Sequence, residues 1–202
     1  DRHSRGSDAS DERRAGAGVN LAAIVLAAGA GTRFGGDKLS APFRGTPLLA
    51  HAIGAARAAP VQRVILVCPP AFDSSLWPNI ETIRITSDAL SASLAAGVAG
   101  VGDAEGAFIF LGDMPLVPHG IAAKLVANLG ENFAAMPRWH GKPGHPVLLA
   151  ARAFPEIAKL TGDQGAGAIL KNRKDVTFVD SEDEGVMLDV DRAEDIARLE
   201  GH

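Results

Sequence analysis

A short apolar run that exits straight into glycines constrains this chain more than any other stretch: Leu21–Leu26, LAAIVL. A run this short, with β-branched members and glycine at its exit, reads as a buried strand. Behind it stand Gly29, Gly31, Gly35 and Gly36, with Thr32, Arg33 and Lys38 among them. Glycine lets a backbone turn sharply and approach a ligand closely, so its N–H groups can point at an anion. Arg33 and Lys38 add positive charge beside those donors. The stretch is therefore a candidate phosphate cradle. The plainer alternative is an ordinary tight strand-to-helix turn with two solvated cations.

Three phosphate loops compete. A P-loop requires G-x-x-x-x-G-K-[ST], but Gly36 is followed by Asp37, and Lys38 by Leu39. A dinucleotide fold requires the glycines to open a helix, with an acidic residue at the end of the second strand. Gly29-x-Gly31-x-x-x-Gly35 matches that loosely, but Gly35-Gly36 and Pro42 would break a helix starting at Thr32. The second apolar run, Val64–Val67, ends in Cys68-Pro69-Pro70, where no carboxylate is available for a ribose. The third loop fits. Leu26, Ala27, Ala28, Gly29, Gly31, Arg33, Gly35 and Lys38 resemble L-A-A-G-x-G-x-R-[FM]-G-x-x-K, the signature of the GT-A-like nucleotidyltransferases. The stretch is most similar to the branch holding the molybdenum cofactor cytidylyl- and guanylyltransferases.

Further apolar runs alternate with helical patterns. Leu48, Leu49, Ala52, Ile53 and Ala56 follow helical spacing to Ala59, with Thr46 expected as cap and Pro47 at the first position. Val61–Val67 reads as a strand and Pro69–Asn79 as a loop or short helix. Thr82–Thr86 reads as a strand, Ser87–Gly100 as a capped helix, and Ala107–Leu111 as another buried strand. This order predicts right-handed βαβ units and a mainly parallel sheet. With 202 residues, 47% of them hydrophobic, the chain suits one α/β domain at 21–202. Residues 1–20 are polar and without apolar period, and read as a disordered leader. They lack the apolar core of a signal peptide. The chain opens on Asp1, not Met, and reads as a processed or recombinant product or part of a longer protein.

A net charge of −4 gives no overall attraction to nucleic acid or anionic membrane. No apolar stretch nears the roughly 20 residues that span a bilayer. The lone cysteine, Cys68, excludes an internal disulfide and suggests a reducing cytoplasm; at a strand end it reads as a packed thiol. With no tyrosine and two tryptophans, base-stacking platforms are not expected.

The Ala107–Leu111 run leads directly into Gly112-Asp113-Met114-Pro115. A carboxylate at the carboxyl end of a central strand sits where open α/β sheets bind ligands, and reads as a Mg²⁺ ligand. Its alternative role, capping the helix expected over Ile121–Leu129, is unfavourable because Pro118 and His119 intervene. Gly-Asp-Met-Pro is also a form of the same family's G-D-x-P motif. Phe133–Trp139 reads as a strand. Gly141–Pro146 reads as a turn-dense loop, and Val147–Leu149 as a short strand. Phe154–Leu160 and Gly167–Lys171 read as helices, and Asp175–Val179 as a strand.

Three further segments resemble the family. Gly141-Lys142-Pro143-Gly144-His145-Pro146 is similar to its G-x-x-G-H-P loop, which faces the second substrate. Gly162-Asp163-Gln164-Gly165-Ala166 is similar to G-D-x-G-A-R, with Gly167 where the family has arginine. Met187–Ile196 is similar to D-[IV]-D-T-P-E-D, with Arg192-Ala193 for Thr-Pro. Asp189 and Asp191, two apart on an expected strand, would share a face. Asp191 matches the family's metal position, and capping the final helix, Ala193–Leu199, is a compatible second role.

The resemblance, covering Leu21–Leu199, implies a three-layer α/β/α Rossmann-like GT-A fold and Mg²⁺-dependent transfer of CMP from CTP to a phosphorylated acceptor, with molybdopterin or molybdenum cofactor foremost. It implies nucleotide contacts from Leu26, Ala27, Ala28, Gly29, Gly31, Thr32, Arg33, Lys38, Asp88, Ser93 and Gly112. Ser91 would also lie near the base. Arg33 would grip the leaving pyrophosphate, and Lys38 would meet charge growing on the α-phosphoryl group. Asp113 and Asp191 would hold the metal. Lys142, Gly144, His145 and Pro146 would meet the acceptor. In the family Ala-Ala-Gly accompanies CTP and Ala-Gly-Gly accompanies GTP, so Ala27-Ala28-Gly29 favours CTP. An ionised phosphate acceptor needs no general base, consistent with the lack of an evident Ser/His/Asp or Cys/His constellation. The alternatives are a guanylyl- or sugar-phosphate nucleotidyltransferase, a non-catalytic nucleotide-binding module serving a molybdenum enzyme or chaperone, and, last, a dinucleotide oxidoreductase.

Overall fold

The structure, a computed structural model, describes residues 19–29 and 34–202. The chain passes through β1 (Leu21–Leu26), β2 (Pro42–Phe43), β3 (Thr46–Pro47), α1 (Leu48–Ala58), β4 (Arg63–Cys68), β5 (Glu81–Arg84) and α2 (Leu90–Gly100). It continues through β6 (Gly106–Leu111), α3 (Ile121–Leu129), β7 (Ala134–Trp139), β8 (Lys142–Pro143), β9 (Val147–Ala150), α4 (Phe154–Ile157), α5 (Ala166–Leu170), β10 (Val176–Asp180) and α6 (Ala193–Glu200).

The main sheet has the order β10-β7-β9-β6-β1-β4-β5, with β8 beside β7. β5, β4, β1 and β6 are mutually parallel. β9 runs antiparallel to both neighbours, and β10 returns parallel to β7. The mainly parallel sheet expected from the alternating runs is therefore present; among the described residues β9 within it and the short β8 beside β7 run the other way.

β1 shows why the sheet is covered on both faces. Leu21, Ala23 and Val25 enter one buried cluster, and Ala22, Ile24 and Leu26 enter another. Successive strand side chains point to opposite faces, so a continuous apolar run requires cover on both. Leu49 and Ile53 of α1 and Ile121 and Leu125 of α3 supply one cover. Leu94 of α2, Ile157 of α4 and Leu170 of α5 supply the other. This is the three-layer arrangement. Its inner helix face needs a small residue at Gly97, where an added Cβ would stand 2.5 Å from Ile24 Cγ2.

A smaller third cluster joins distant parts of the chain. Phe43, Leu48, Val190 and Leu199 are fully buried together, with Leu39, Leu188 and Ile196 packed against them. It ties the turn after the glycine loop to α6 and to the acidic segment before it. Burying each large side chain of this kind contributes about 1.5–3 kcal/mol.

The structure corrects several expectations. Thr46 does not cap α1: it lies in β3, paired with Phe43, and its hydroxyl meets His51 Nε2 at 2.9 Å. The reason is the hairpin turn at Arg44 and Gly45, both with positive φ (46° and 82°), which suits a two-residue connection. Residues 187–191 form no strand. Asp189 and Asp191 are nevertheless both exposed around buried Val190, so the expected alternation holds without a ladder. The helix expected from Ser87 begins at Leu90, which puts Ser91 and Ser93 inside its first turn, not at a cap. The helix expected over Phe154–Leu160 is shorter, and α3 has the expected bounds. Residues 1–18, which hold most of the expected leader, lie outside the described residues. Among the described residues no helix is long and apolar enough to cross a membrane.

Candidate functional site

β1 is where the sheet changes direction: α1 carries the chain to β4 on one side, and the later β6 pairs on the other. Ligands of open α/β sheets bind outside the strand ends at such a point. The carboxyl ends of β1 and β6 lie in register, Leu26 opposite Leu111, and the Gly112 N–H donates to the Leu26 carbonyl at 2.9 Å. A Cβ at Gly112 would stand 3.0 Å from that oxygen and from Leu49 Cδ1, so a side chain there would be tight against both. On the other side, the Ala27 N–H donates to the Val67 carbonyl at 2.8 Å.

A cleft of about 650 Å³ opens at these strand ends. Leu26, Ala27, Ala28 and Gly29 form its floor, with Lys38, Asp88, Ser93 and Asp113 also lining it. Gly112, also expected at the nucleotide, is buried and does not line the cleft. The tertiary structure thus brings together most of the residues singled out for nucleotide binding. Gly31, Thr32 and Arg33 lie outside the described residues. Ser91 is buried and not part of the lining; its N–H donates to the Gly162 carbonyl.

Lys38 and Asp113 meet at the cleft. Lys38 opens a single 3₁₀ turn, Lys38–Ser40, and its Nζ donates to Asp113 Oδ2 at 2.7 Å. The side chains are 13% and 25% exposed, so the pair is less screened than a surface ion pair while remaining open to a ligand. The Asp113 carbonyl in turn accepts from the Val190 N–H at 2.9 Å. That bond hangs the acidic segment beside Asp113.

Asp189 is exposed on one side and desolvated on the other. Its carboxyl is pushed above the ordinary range, first by burial and then by the neighbouring Asp113 and Asp191 carboxylates; its own backbone and Lys38 oppose the shift. Repulsion of this kind is what a divalent cation relieves. Among the described residues no group of three or more His, Cys, Asp or Glu is set to hold a metal. The donors are oxygens only and few, which fits Mg²⁺ or Mn²⁺, whose remaining ligands are water and substrate phosphate. Sequence reasoning noted Asp189 only as sharing a face with Asp191.

The acceptor residues divide. Lys142 is exposed on β8. Gly144 and Pro146 are buried. A Cβ at Gly144 would collide with the Val186 carbonyl, so glycine is required by packing. The His145 Nδ1 is buried and, among the described residues, has no hydrogen-bond partner. Burial pushes the imidazole below its ordinary pKa, against the Ile109 backbone hydrogen bond and the Asp113 charge. His145 therefore stands as a neutral ring behind Asp113. The opposite wall of the cleft, Pro69–Phe72 with Thr86 and Ser87, was not foreseen. The available signal was the Pro-Pro pair directly after a strand at the switch point.

Comparisons with known proteins agree with this geometry. A 2-C-methyl-D-erythritol 4-phosphate cytidylyltransferase from Cereibacter sphaeroides is 35% identical over 148 residues, 64% of this chain and 65% of that protein. The chain thus spans 65% of that relative's length. A probable molybdenum cofactor guanylyltransferase from Pyrococcus furiosus is 30% identical over 141 residues, 66% of this chain and 69% of that protein. Among solved structures, Rv0371c from Mycobacterium tuberculosis in complex with manganese has a TM-score of 0.76 and 27% identity, covering 91% of this chain and 99% of that one. The profile of the MobA-like NTP transferase domain matches residues 23–176, taking in the floor of the cleft, Lys38 and Asp113. With that much of its length matched, the chain belongs to the MobA-like NTP transferase family.

Proposed function

We propose that this protein is a nucleotidyltransferase that moves CMP from CTP to a phosphorylated acceptor with Mg²⁺, molybdopterin or molybdenum cofactor being the leading acceptor. The observation that carries the reading is the Lys38–Asp113 pair, 2.7 Å apart over the ends of β1 and β6, with the acidic segment hung on the Asp113 carbonyl. Family membership supports the reaction class. The cytidylyltransferase relative and Ala27-Ala28-Gly29 favour CTP. The molybdenum cofactor relative favours the acceptor.

In the reaction an acceptor phosphate oxygen attacks the α-phosphorus. A new P–O bond forms there, the bond to the β-phosphate bridging oxygen breaks, and pyrophosphate leaves with the electron pair. Two anions must meet, so alignment and charge neutralisation dominate the barrier. Asp113 and Asp191, with Asp189 alongside, would hold the divalent cation, which supplies charge neutralisation at the phosphate oxygens. The Lys38 ammonium meets an α-phosphoryl oxygen. Arg33 takes the leaving pyrophosphate, as the resemblance implies. The backbone at Leu26–Gly29 receives the nucleotide, with Asp88 and Ser93 near the base and ribose. Lys142 meets the acceptor phosphate, and His145, Gly144 and Pro146 shape the floor behind it. An ionised acceptor phosphate needs no general base.

A second reading keeps the chemistry and changes the acceptor to a polyol phosphate, favoured by the substrate named for the Cereibacter relative. Pyrophosphate release with Mg²⁺ and each of CTP, GTP, ATP and UTP, with molybdenum cofactor or a polyol phosphate as acceptor, separates these. Cofactor-dependent release with CTP, reduced at least about 100-fold in Asp113→Ala, is expected. Release only with GTP would overturn the base assignment, and release only with the polyol phosphate would overturn the acceptor. No release with any pair would overturn the enzyme reading.

A further inference from the structure

The unforeseen wall of the cleft is organised by one side chain outside it. Arg84 ends β5, in register with Cys68, where the neighbouring strand departs into Pro69-Pro70. Its Nη1 donates to the carbonyls of Pro70 at 2.7 Å and Phe72 at 2.8 Å, with a longer contact to Pro69 at 3.5 Å. Its Nη2 reaches Ser74 Oγ at 3.4 Å. Pro69 and Pro70 have no N–H to donate; the Pro69 carbonyl accepts from the Phe72 N–H at 3.1 Å, and Arg84 adds donors to the carbonyls of Pro70 and Phe72. A guanidinium serves several acceptors in one plane, which a compact ammonium on a flexible stem does not reproduce. Behind the loop, Phe72 stacks on Trp77 with ring centroids 5.4 Å apart and planes 17° apart. Held from both sides, Pro69–Phe72 presents rings and a methyl group to the cleft, across from the Leu26–Gly29 floor.

We propose that Arg84 is a positioning residue for nucleotide recognition: it fixes Pro69–Phe72 as the apolar wall against which the base and ribose of a nucleoside triphosphate lie. The inference rests on the nucleotidyltransferase reading. Arg84 touches none of the reacting atoms, so its contribution is equal in ground state and transition state. Loss of such an interaction raises KM and leaves kcat unchanged.

The test compares wild type, Arg84→Ala and Arg84→Lys by amide hydrogen exchange, by calorimetric binding of each of the four nucleoside triphosphates with Mg²⁺, and by steady-state pyrophosphate release. In Arg84→Ala, exchange at Ala71–Trp77 is expected to accelerate on the order of tenfold, and the nucleotide Kd and KM to rise about fivefold to tenfold. The kcat is expected to stay within about twofold. Arg84→Lys is expected to restore part of both effects, and carries the test if the alanine variant does not fold. Unchanged exchange overturns the proposal. So does faster exchange with unchanged nucleotide affinity, or a fall in kcat at constant KM. A wild type that binds none of the four nucleotides overturns the nucleotide reading and this inference with it. A wild type that binds and turns over while Arg84→Ala matches it overturns the inference alone.

Discussion

Lys38 and Asp113 are 75 positions apart and meet only because the glycine loop and β6 end at one cleft. Removing the ammonium leaves a carboxylate that water reaches, so stability changes little and the loss falls on the reaction. Lys38→Met is expected to lower kcat by about 10²- to 10³-fold, by analogy with loss of one oxyanion donor, in the pyrophosphate assay. A fall under threefold would move the α-phosphoryl contact to another cation. His145 makes a different prediction. Burial disfavours its imidazolium in the folded protein, whereas the unfolded chain takes up the proton near the ordinary value of 6.5. The stability it contributes is complete above that value and is lost as pH falls through 6.5 towards the lower folded value. The slope from this group is at most about 1.4 kcal/mol per pH unit. In urea unfolding between pH 7 and pH 5, His145→Gln is expected to flatten the pH dependence. An unchanged slope would assign the proton to another group.

At the scale of elements, α6 shows how the acidic segment is held without a sheet partner. Arg192 precedes the helix; its carbonyl accepts from the Asp195 N–H at 3.0 Å, but its side chain offers no acceptor. Asp195 Oδ2 instead reaches back to the backbone N–H groups of Asp191 at 3.0 Å and Arg192 at 2.8 Å, and Arg198 donates to Oδ1 at 2.9 Å. One carboxylate therefore starts the helix and fixes the backbone of a proposed metal ligand. Asp195→Ala is expected to cost about 1 kcal/mol, a fall of roughly 2–4 °C in Tm. It is also expected to raise the Mg²⁺ concentration for half-maximal activity severalfold. A melt that drops while the Mg²⁺ titration stays unchanged would confine Asp195 to capping. Elements with strong local patterns, such as Ile121–Leu129, were legible from residue spacing alone. The segment around Val190 was misread as a strand because an apolar residue between two exposed aspartates satisfies strand periodicity. Nothing local reveals that its backbone pairs with the Asp113 carbonyl and with Asp195, not with another strand.

For the whole molecule, the cleft lies between parts that separate on unfolding, so a ligand bound there stabilises the fold by mass action. CTP with Mg²⁺ at 100 times its Kd is expected to add about 2.7 kcal/mol, a rise of roughly 5–10 °C in Tm. GTP at the same concentration is expected to give a smaller rise. A larger shift with GTP would reverse the base assignment and leave the fold and chemistry as argued. Omitting Mg²⁺ is expected to remove most of the rise, because the carboxylates around Asp189 then face the phosphates uncompensated.

Short-range chemistry is legible along the linear chain. The apolar runs specify buried strands, glycine specifies the sharp exit after Leu26, and a carboxylate directly after β6 marks a ligand-binding strand end. These features carried the alternation of strands and helices, the cleft floor at Leu26–Gly29, and the choice of Lys38 and Asp113. The tertiary structure alone decided which distant residues share that space. It set the sheet order with β9 reversed, the Pro69–Phe72 wall under Arg84, Asp189 crowded by Asp113, and His145 closed off behind the site. The physical reason is the range of the interactions. Strand periodicity and turn chemistry act over a few residues, whereas wall, charge crowding and burial depend on loops whose positions are set by packing against the rest of the chain.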